Sequence, residues 1–228
     1  MNKTLLFASA AVLALSSVGV ASAKPASPGL ASPKGTYAHQ TIFKTPKGSK
    51  TLYDQNANDS GVGLVSDNFT SGTFPSFSDQ GADDFTVPAG HKWTVTEVDV
   101  TGVYFNGPGP TTGVNVFFYK NKKGLPGKLV SEVDGASFTD NFGSFAVQTG
   151  GVKLKAGTYW VSVQADMNFT GGAGEWGWEV NSVQTGNEAA WQNPGGGFAV
   201  CPTWGPVTSC LGYGPDFMFT LKGKDKAA

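Results

Sequence analysis

Few residues of this chain can act as a nucleophile, general base or metal ligand, and they form no recognised catalytic motif. The two histidines are His39, in a stretch rich in Lys, Pro and Ser, and His91, in a Pro-Ala-Gly-His turn. The sequence has no Gly-x-Ser-x-Gly elbow and no His-Glu-x-x-His motif, which mark serine and zinc hydrolases. Because a lone histidine has no companion ligand, we interpret both as linker and turn residues. The sequence therefore predicts a protein that is not an enzyme.

Three glutamates leave one enzymatic alternative open. Glycosidases use a pair of carboxyl groups that flank the scissile bond, and the two groups can come from distant parts of a chain. Glu175, Glu179 and Glu188 could each meet another acid in space. The simpler interpretation is that Glu175 and Glu179 are exposed carboxylates on a strand. A glycosidase is therefore kept as the third interpretation of the function.

Aspartates form a candidate metal site. Asp79, Asp83 and Asp84 are close in sequence, and Asp216 opens the last strand, which a jelly roll could place beside the first. Ca²⁺ takes about six to eight oxygen ligands, so these side chains could hold a structural calcium ion. The alternative is that they accept hydrogen bonds from amides in turns and at strand starts. We expect no other cofactor.

Aromatic side chains give the main indication of a ligand. Alternation along the strands places several of them on the face opposite the apolar residues. Aromatic rings beside amides and hydroxyls suit sugar binding, because the CH-rich face of a sugar stacks on the ring. The predicted ligand-binding residues are Phe117, Tyr119, Trp160, Gln164, Trp191 and Trp204. The alternative is that a loop or the N-terminal arm covers this face and makes these residues core.

The elements that position these residues are short strands. The 228 residues include 32 Gly and 13 Pro, and only 14% are charged, against a usual share of about 25%. From residue 51, short apolar or alternating runs are separated by Gly, Pro, Asn and Asp clusters, and no sustained helical period is present. This pattern predicts an all-β, antiparallel β-sandwich in a single domain.

Alternation within three runs makes finer predictions. Tyr159, Val161 and Val163 share one side of their strand and should be core, as should Trp176 and Trp178 on theirs. The apolar residues change phase in the run 91–105, which predicts a bulge or a crossing between sheets near residue 97. Residues 120–127 are a polar, glycine-containing turn and should form an exposed hairpin tip.

The N-terminus indicates secretion. Residues 1–23 combine a basic start, an apolar run and an Ala-Ser-Ala cleavage site, as in a signal peptide. The alternative is a membrane anchor, but the run is short and interrupted by serines, whereas a span needs about 20 apolar residues. We predict a Pro/Ser/Lys-rich linker or docked arm at 24–50, a β-sandwich domain at 51–223 and a tail at 224–228. The protein should be extracellular or periplasmic, without membrane insertion.

The two cysteines fit this compartment. Cys201 and Cys210 flank a short loop rich in Pro, Gly and Thr, and a close pair in a secreted chain favours a disulfide. Metal binding by this pair is the alternative, although such sites usually have about four ligands.

The strand and turn motifs resemble those of a class of secreted bacterial β-sandwich domains that is largely uncharacterised. The resemblance rests on Ala82-Asp83-Asp84-Phe85-Thr86-Val87-Pro88, on Gly124-Leu125-Pro126-Gly127 and on the strand from Leu154 to Val163, and it covers residues 80–222. It implies a jelly-roll-like fold and an extracellular location, and it implies no activity.

The charged residues of the chain argue against a nucleic-acid partner. All 16 basic residues are Lys, and the net charge is −1, so the chain lacks the guanidinium groups and basic surface typical of nucleic-acid binding. We therefore expect a non-enzymatic binding module whose partner is a glycan or a cell-envelope component. The main alternative is a structural or adhesive exoprotein that contacts other proteins through sheet edges or loops. The sequence leaves the oligomeric state open.

Overall fold

A computed structural model of the chain describes residues 27–39, 43–69 and 73–227, and the predicted signal peptide lies outside these ranges. The described residues form fourteen strands, one α-helix and one short 3-10 helix. The strands are β1 (Lys50–Asp54), β2 (Asp59–Val65), β3 (Asp67–Asn68), β4 (Gln80–Val100), β5 (Gly102–Phe105), β6 (Val114–Lys122), β7 (Leu125–Val133), β8 (Phe138–Asn141), β9 (Ser144–Asp166), β10 (Glu175–Asn181), β11 (Ala190–Gln192), β12 (Gly205–Pro206), β13 (Asp216–Phe217) and β14 (Phe219–Ala227). The helices are α1 (Val207–Leu211) and the 3-10 turn Pro75–Phe77.

Two packed sheets confirm the predicted all-β sandwich. The larger sheet has ten strands, with the main order β1-β14-β4-β9-β6-β7, and the smaller sheet has the order β13-β10-β2, with β5 also paired to β10. Pairing is antiparallel except between β3 and β9. The two long strands β4 and β9 pair along most of their length and form the middle of the larger sheet.

The core lies between the sheets, and its composition confirms the predicted alternation. Tyr159 and Val161 of β9 are buried there, as are Trp176 and Trp178 of β10, which have no exposed surface. The Trp176 ring stacks on Phe145 of β9 with centroids 5.0 Å apart. Because each large side chain contributes about 1.5–3 kcal/mol when fully buried, these aromatic residues contribute much of the stability.

A bulge interrupts β4 where the sequence predicted one. The pairing of β4 with β14 shifts here, since Glu97 faces Lys222 while Val95 faces the next residue, Gly223, so β4 has one extra residue relative to β14. Val95 and Val98 both lie in the core as a result. Glu97 and Asp99 alternate with the core residues and therefore point to the outer face of the larger sheet.

The turn between β6 and β7 also follows the prediction. Lys123 and Gly124 both have positive φ, 56° and 77°, and Lys122 pairs with Leu125. This is the backbone of a two-residue hairpin turn, whose twist matches that of the flanking strands. The exposed lysines Lys122 and Lys123 mark it as a surface tip.

The N-terminal arm, residues 27–39, extends the smaller sheet at the edge of β2. The Ser32 amide donates to the Gly63 carbonyl at 2.8 Å, and the Val65 amide donates to the Leu30 carbonyl at 3.1 Å. These bonds satisfy backbone groups that an edge strand would otherwise leave exposed. The first part of the predicted linker is thus a docked arm.

The predicted tail is wrong, because the last strand continues through it. β14 runs to Ala227 and pairs with residues 91–100, the second half of β4. Asp225, within the predicted tail, accepts hydrogen bonds from Lys50 Nζ at 3.1 Å and from His91 Nδ1 at 2.8 Å. Ladder hydrogen bonds and these side-chain contacts keep the lysine-rich end on the sheet.

The predicted disulfide joins Cys201 to Cys210, with Cα atoms 5.7 Å apart. The loop that it closes contains β12 and the first residues of α1. The pairing of Ala190 with Pro206 holds this loop against β11, at the edge of the larger sheet. Among the described residues, no helix has the length and apolar character needed to cross a bilayer.

Candidate functional site

Two of the tryptophans predicted to bind a ligand are covered. Trp160 and Trp191 have no exposed surface. The Trp160 indole N–H donates to Asn121 Oδ1 at 3.1 Å, and that of Trp191 donates to the Val65 carbonyl at 2.9 Å. Trp160 does lie on the face opposite Val161, where Ala190 of β11 and Trp204 of the disulfide loop pack in the same cluster. Trp191, a residue of β11, packs instead in the main core between the sheets. Neither ring can stack on a ligand in this conformation.

The other predicted aromatics form a small cluster on the outer face of the larger sheet. Phe117 stacks on Tyr119 with centroids 6.3 Å apart, and Trp204 from the disulfide loop meets Tyr119 edge-on at 5.7 Å. Tyr119 is only 9% exposed, whereas Phe117 and Trp204 are half-buried. Gln164 is buried, and its amide donates to the Asp79 carbonyl at 2.6 Å. Of the six predicted residues, Phe117 and Trp204 therefore keep the most accessible surface.

The four predicted metal ligands do not converge on one point. Asp83, Asp84 and Asp216 lie together, whereas Asp79 accepts a hydrogen bond from Trp191 Nε1 at 3.1 Å. In the described ranges, no group of three or more His, Cys, Asp or Glu side chains has the arrangement of a metal site. All four aspartates accept hydrogen bonds, as the alternative interpretation expects, and structural calcium stays a prediction.

Three of these aspartates, Asp83, Asp84 and Asp216, accept hydrogen bonds from backbone amides of the segment 185–217. Asp83 Oδ2 accepts from the Phe217 amide at 2.7 Å, and Asp84 Oδ1 accepts from the Asn187 amide at 3.0 Å. Asp216 Oδ2 accepts from the Thr185 amide at 2.5 Å. Burial raises the pKa of Asp216 to about 7, and burial and the nearby Asp216 carboxylate raise the pKa of Asp83. These carboxyl groups order the loop that leads into β11.

Glu175 and Glu179 are buried, so their interpretation as exposed strand carboxylates is wrong. The arm covers this face of β10, and the Gly29 amide donates to Glu175 Oε1 at 2.6 Å. Burial raises the pKa of Glu175 to about 7. Burial and the Asp59 carboxylate raise the pKa of Glu179 to about 9. Both groups are closed off from a bulky substrate.

A cleft of about 600 Å³ opens at the free edge of β5. Three segments line it: the end of the arm (residues 36–39), β5 with the loop that follows it (103–110), and the turn between β8 and β9 (140–142). Two of the most exposed aromatic rings of the chain belong to it, since Tyr37 is 65% and Phe142 is 76% exposed. His39 meets Phe142 edge-on with ring centroids 5.6 Å apart. This arrangement presents aromatic surface to solvent, unlike the cluster around Tyr119.

Glycines set the positions of the two tyrosines in the cleft. A Cβ atom on Gly61 would lie 2.8 Å from the Tyr37 ring, and one on Gly109 would lie 2.6 Å from the Tyr104 ring. Both glycines also have φ of +71°, which other residues rarely adopt. Each tyrosine ring therefore rests directly on backbone, and a side chain at either glycine would displace it.

The turn that carries Phe142 is fixed by a carboxylate. Asp140 Oδ1 accepts from the Gly143 amide at 2.8 Å, and Asp140 Oδ2 accepts from the Tyr104 hydroxyl at 2.9 Å. The same hydroxyl oxygen accepts from the Thr111 amide at 3.0 Å. Burial, partly offset by the Thr111 hydrogen bond, raises the pKa of Tyr104. The cleft thus combines exposed rings with an ordered carboxylate and the neighbouring amide of Asn141.

This combination suits a ligand that has both an apolar CH face and hydroxyl groups. Aromatic rings contact the apolar face, while carboxylate and amide groups accept and donate hydrogen bonds in fixed directions. The volume falls within the range of about 300–1,000 Å³ that is typical of small-molecule sites. Local sequence patterns say little about this cleft, because Tyr37, Tyr104 and Phe142 come from three distant segments. The one local signal is Phe142 in the turn Asn141-Phe142-Gly143, because a side chain in so short a turn is not buried by the two strands that the turn connects.

Comparison with known proteins identifies the fold alone. No family model matches the sequence, and no curated protein matches it significantly. A structural similarity is found to the crystal structure of the cysteine protease and lectin-like domains of Cwp84, a surface layer associated protein of Clostridium difficile. The TM-score is 0.51 at 10% sequence identity, over 82% of this chain and 38% of that chain. The chain therefore spans well under half the length of that protein.

Proposed function

We propose that the protein is an extracellular, non-enzymatic carbohydrate-binding module, and that it binds glycan in the cleft between Tyr37, Tyr104 and Phe142. The observation that carries the proposal is the pair of exposed rings, Tyr37 and Phe142, beside the ordered carboxylate of Asp140. An exposed ring has a cost in water that burial against a sugar face would relieve. The proposed partner is a glycan, as expected from the sequence. The proposed binding site is this cleft and no longer the outer face of the larger sheet.

The fold and the disulfide support this proposal. The similar structure is that of a protein with a lectin-like domain, from a surface layer associated protein. Disulfides persist in oxidising compartments, so the bond between Cys201 and Cys210 supports the secretion that the predicted signal peptide implies. The resemblance to secreted bacterial jelly-roll-like domains stays a prediction that points to the same compartment.

The carboxyl groups support binding without hydrolysis. Glycosidases need two carboxyl groups on either side of the bond that they cleave. Among the described residues that line the cleft, Asp140 is the one carboxylate, and it is held by Tyr104 and Gly143. Glu175 and Glu179 are buried on β10, and Glu188 Oε1 accepts from the Thr208 amide at 2.6 Å.

The test is retention of the mature protein on a panel of insoluble polysaccharides and cell-wall preparations. We expect retention on at least one matrix, and a loss of about tenfold in affinity in Phe142→Ala and in Tyr37→Ala, because each ring contributes about 1–1.5 kcal/mol of stacking. Both side chains are largely exposed, so the variants should keep the wild-type fold. Turnover of the retained glycan, measured as released reducing ends, should be absent.

The matched control is Tyr213→Ala, which removes a ring that is 41% exposed and lies outside the cleft. This variant should bind like the wild type. Retention that survives loss of both cleft rings would contradict the proposed site. Absence of retention on every matrix, from folded and oxidised protein, would favour the adhesive alternative, for which Leu129 and Val130 on the edge strand β7 offer exposed apolar surface.

A further inference from the structure

A lysine and two acids are buried together on the outer face of the larger sheet. Lys222 of β14 is 3% exposed, and Glu97 and Asp99 of β4 are each 4% exposed. The Lys222 Nζ atom lies 2.5 Å from Asp99 Oδ2 and 3.0 Å from Glu97 Oε1. It also donates to the Phe43 carbonyl at 2.9 Å. The amine therefore contacts both carboxyl groups at once.

The strand register builds this triad. Lys222 pairs with Glu97 across the two antiparallel strands, and Asp99 follows two residues later on the same face. The bulge between Val95 and Glu97, where β4 has one extra residue relative to β14, gives both acids this orientation because it shifts the alternation of β4. Without the extra residue, Glu97 and Asp99 would point into the hydrophobic core. The juxtaposition is thus specified by backbone geometry and does not depend on flexible surface side chains.

The charges of the triad are poorly compensated. Two carboxylates share one ammonium group, and Asp99 Oδ1 has no hydrogen-bond partner among the described residues. Burying an ion pair has a large desolvation cost, and an orphaned carboxylate oxygen adds to it. Burial raises the pKa of Asp99 to about 7, so its neutral form is accessible near neutral pH. Transfer of one proton from the ammonium group to Asp99 gives a neutral amine facing a neutral carboxylic acid.

We infer that Lys222 and Asp99 condense to an intramolecular amide bond, with Glu97 as the catalytic residue. The Nζ atom attacks Asp99 Cγ, which lies one bond from Oδ2, and a contact of 2.5 Å to Oδ2 brings this carbon near the attack distance of about 3–3.5 Å. The new N–C bond forms, the bond from Cγ to its hydroxyl oxygen breaks, and one water leaves. No oxidation or reduction takes place, and no co-reactant is needed.

Glu97 transfers the proton that the Lys222 Nζ atom loses in this reaction. Its Oε1 atom contacts Nζ, so the carboxylate can take a proton from the attacking nitrogen and deliver it to the departing hydroxyl group. Its other oxygen accepts a hydrogen bond from Gln148 Nε2, which holds the carboxylate in place. Glu97 is regenerated at the end. A cleft of about 300 Å³ borders Asp99 and Lys222 and gives the released water a way out.

The product would fasten the last strand to the middle of the sheet. β14 and β4 are already hydrogen-bonded neighbours, and the amide would close the chain between residues 99 and 222 into a covalent loop. Such a link resists fraying of a terminal strand, which suits a protein that works outside the cell under mechanical or proteolytic load. The inference does not depend on the glycan-binding proposal.

The test is the intact mass of the purified protein after reduction of the disulfide. We expect a mass lower than the sequence mass by one water molecule, and a proteolytic digest in which the peptides that contain Asp99 and Lys222 stay linked. Lys222→Arg keeps a cation but cannot form this bond, so it should show the full mass. Glu97→Gln should show the full mass or slow conversion.

Asp99→Asn gives a second, independent readout. Its side chain can condense with the same lysine, but the leaving group is then ammonia, so the mass should fall by one ammonia molecule. This result would separate condensation at residue 99 from any dehydration elsewhere in the chain. Wild-type protein that is folded, oxidised and of full sequence mass, with separate peptides for residues 99 and 222, would overturn the inference whether or not the variants fold.

Discussion

Glu179 should make the protein less stable as the pH rises through the neutral range. This side chain is buried on β10, and neither carboxylate oxygen has a normal hydrogen-bond partner among the described residues. Its pKa is raised from an ordinary value of 4.5 to about 9 in the folded protein. The folded state therefore holds a proton that the unfolded state has already lost. The contribution of Glu179 to stability is highest below the pKa that this side chain has in the unfolded chain. It is lost progressively as the pH rises towards about 9.

The magnitude follows from proton linkage. One pKa unit corresponds to about 1.4 kcal/mol, so between about pH 5 and pH 8 this group lowers the free energy of unfolding by at most about 4 kcal/mol. For a domain of this size, 1 kcal/mol shifts the Tm by about 2–4 °C, which gives a shift of roughly 8–16 °C. Gln at this position is neutral at every pH. Glu179→Gln should therefore gain stability relative to the wild type as the pH rises.

The assay is thermal or urea unfolding of both proteins across this pH range, with the disulfide kept intact. Other buried acids, such as Glu175 and Asp216, are present in both proteins, so the difference between the two curves isolates Glu179. Glu132→Gln removes an exposed carboxylate on β7 and is the matched control, whose curve should run parallel to that of the wild type. Parallel curves for Glu179→Gln and the wild type would refute the assignment of a proton to this side chain.

Three further changes test the packing described above. Trp160→Ala should cost about 3–5 kcal/mol of stability and leave glycan retention of the folded protein unchanged, because the ring is fully buried; retention assays and urea unfolding check both parts. Replacing Cys201 and Cys210 by Ala should cost about 2–3 kcal/mol, measured as a lower unfolding midpoint. Gly61→Ala should cost about 1–2 kcal/mol, since φ is positive there, and should weaken glycan retention by displacing the Tyr37 ring.

The core was predictable because it depends on alternation within single strands. Tyr159 and Val161 on β9, and Trp176 and Trp178 on β10, follow the period of two that any half-buried strand imposes. The bulge near Glu97 was predictable for the same reason, since a change of phase in the apolar residues needs an extra residue in the strand, and β4 has one relative to β14.

Alternation could not predict what covers the outer faces. Trp160 does lie on the face opposite Val161, but β11 and the disulfide loop come back across that face from about 30 residues later in the chain. The arm likewise covers Glu175 from the other end of the sequence. Such coverage depends on tertiary contacts between distant segments, and no local spacing records it.

The candidate cleft escaped prediction for a related reason. Tyr37 falls in the predicted linker and Tyr104 near the end of the run 91–105, whereas the sequence patterns make no prediction for Phe142, and none of these positions suggests a site by itself. Their proximity results from docking of the arm on β2 and from packing of the β8–β9 turn beside β5. The composition, by contrast, was enough to predict the all-β fold and the short strands that form the frame.

The location of the proposed glycan site can be measured by mapping amide chemical shifts while an oligosaccharide of the retained glycan is added to the mature protein. We expect shifts confined to the arm around Tyr37, the loop after β5 and the turn that carries Phe142. Shifts centred instead on Phe117 and Trp204, on the outer face of the larger sheet, would contradict it.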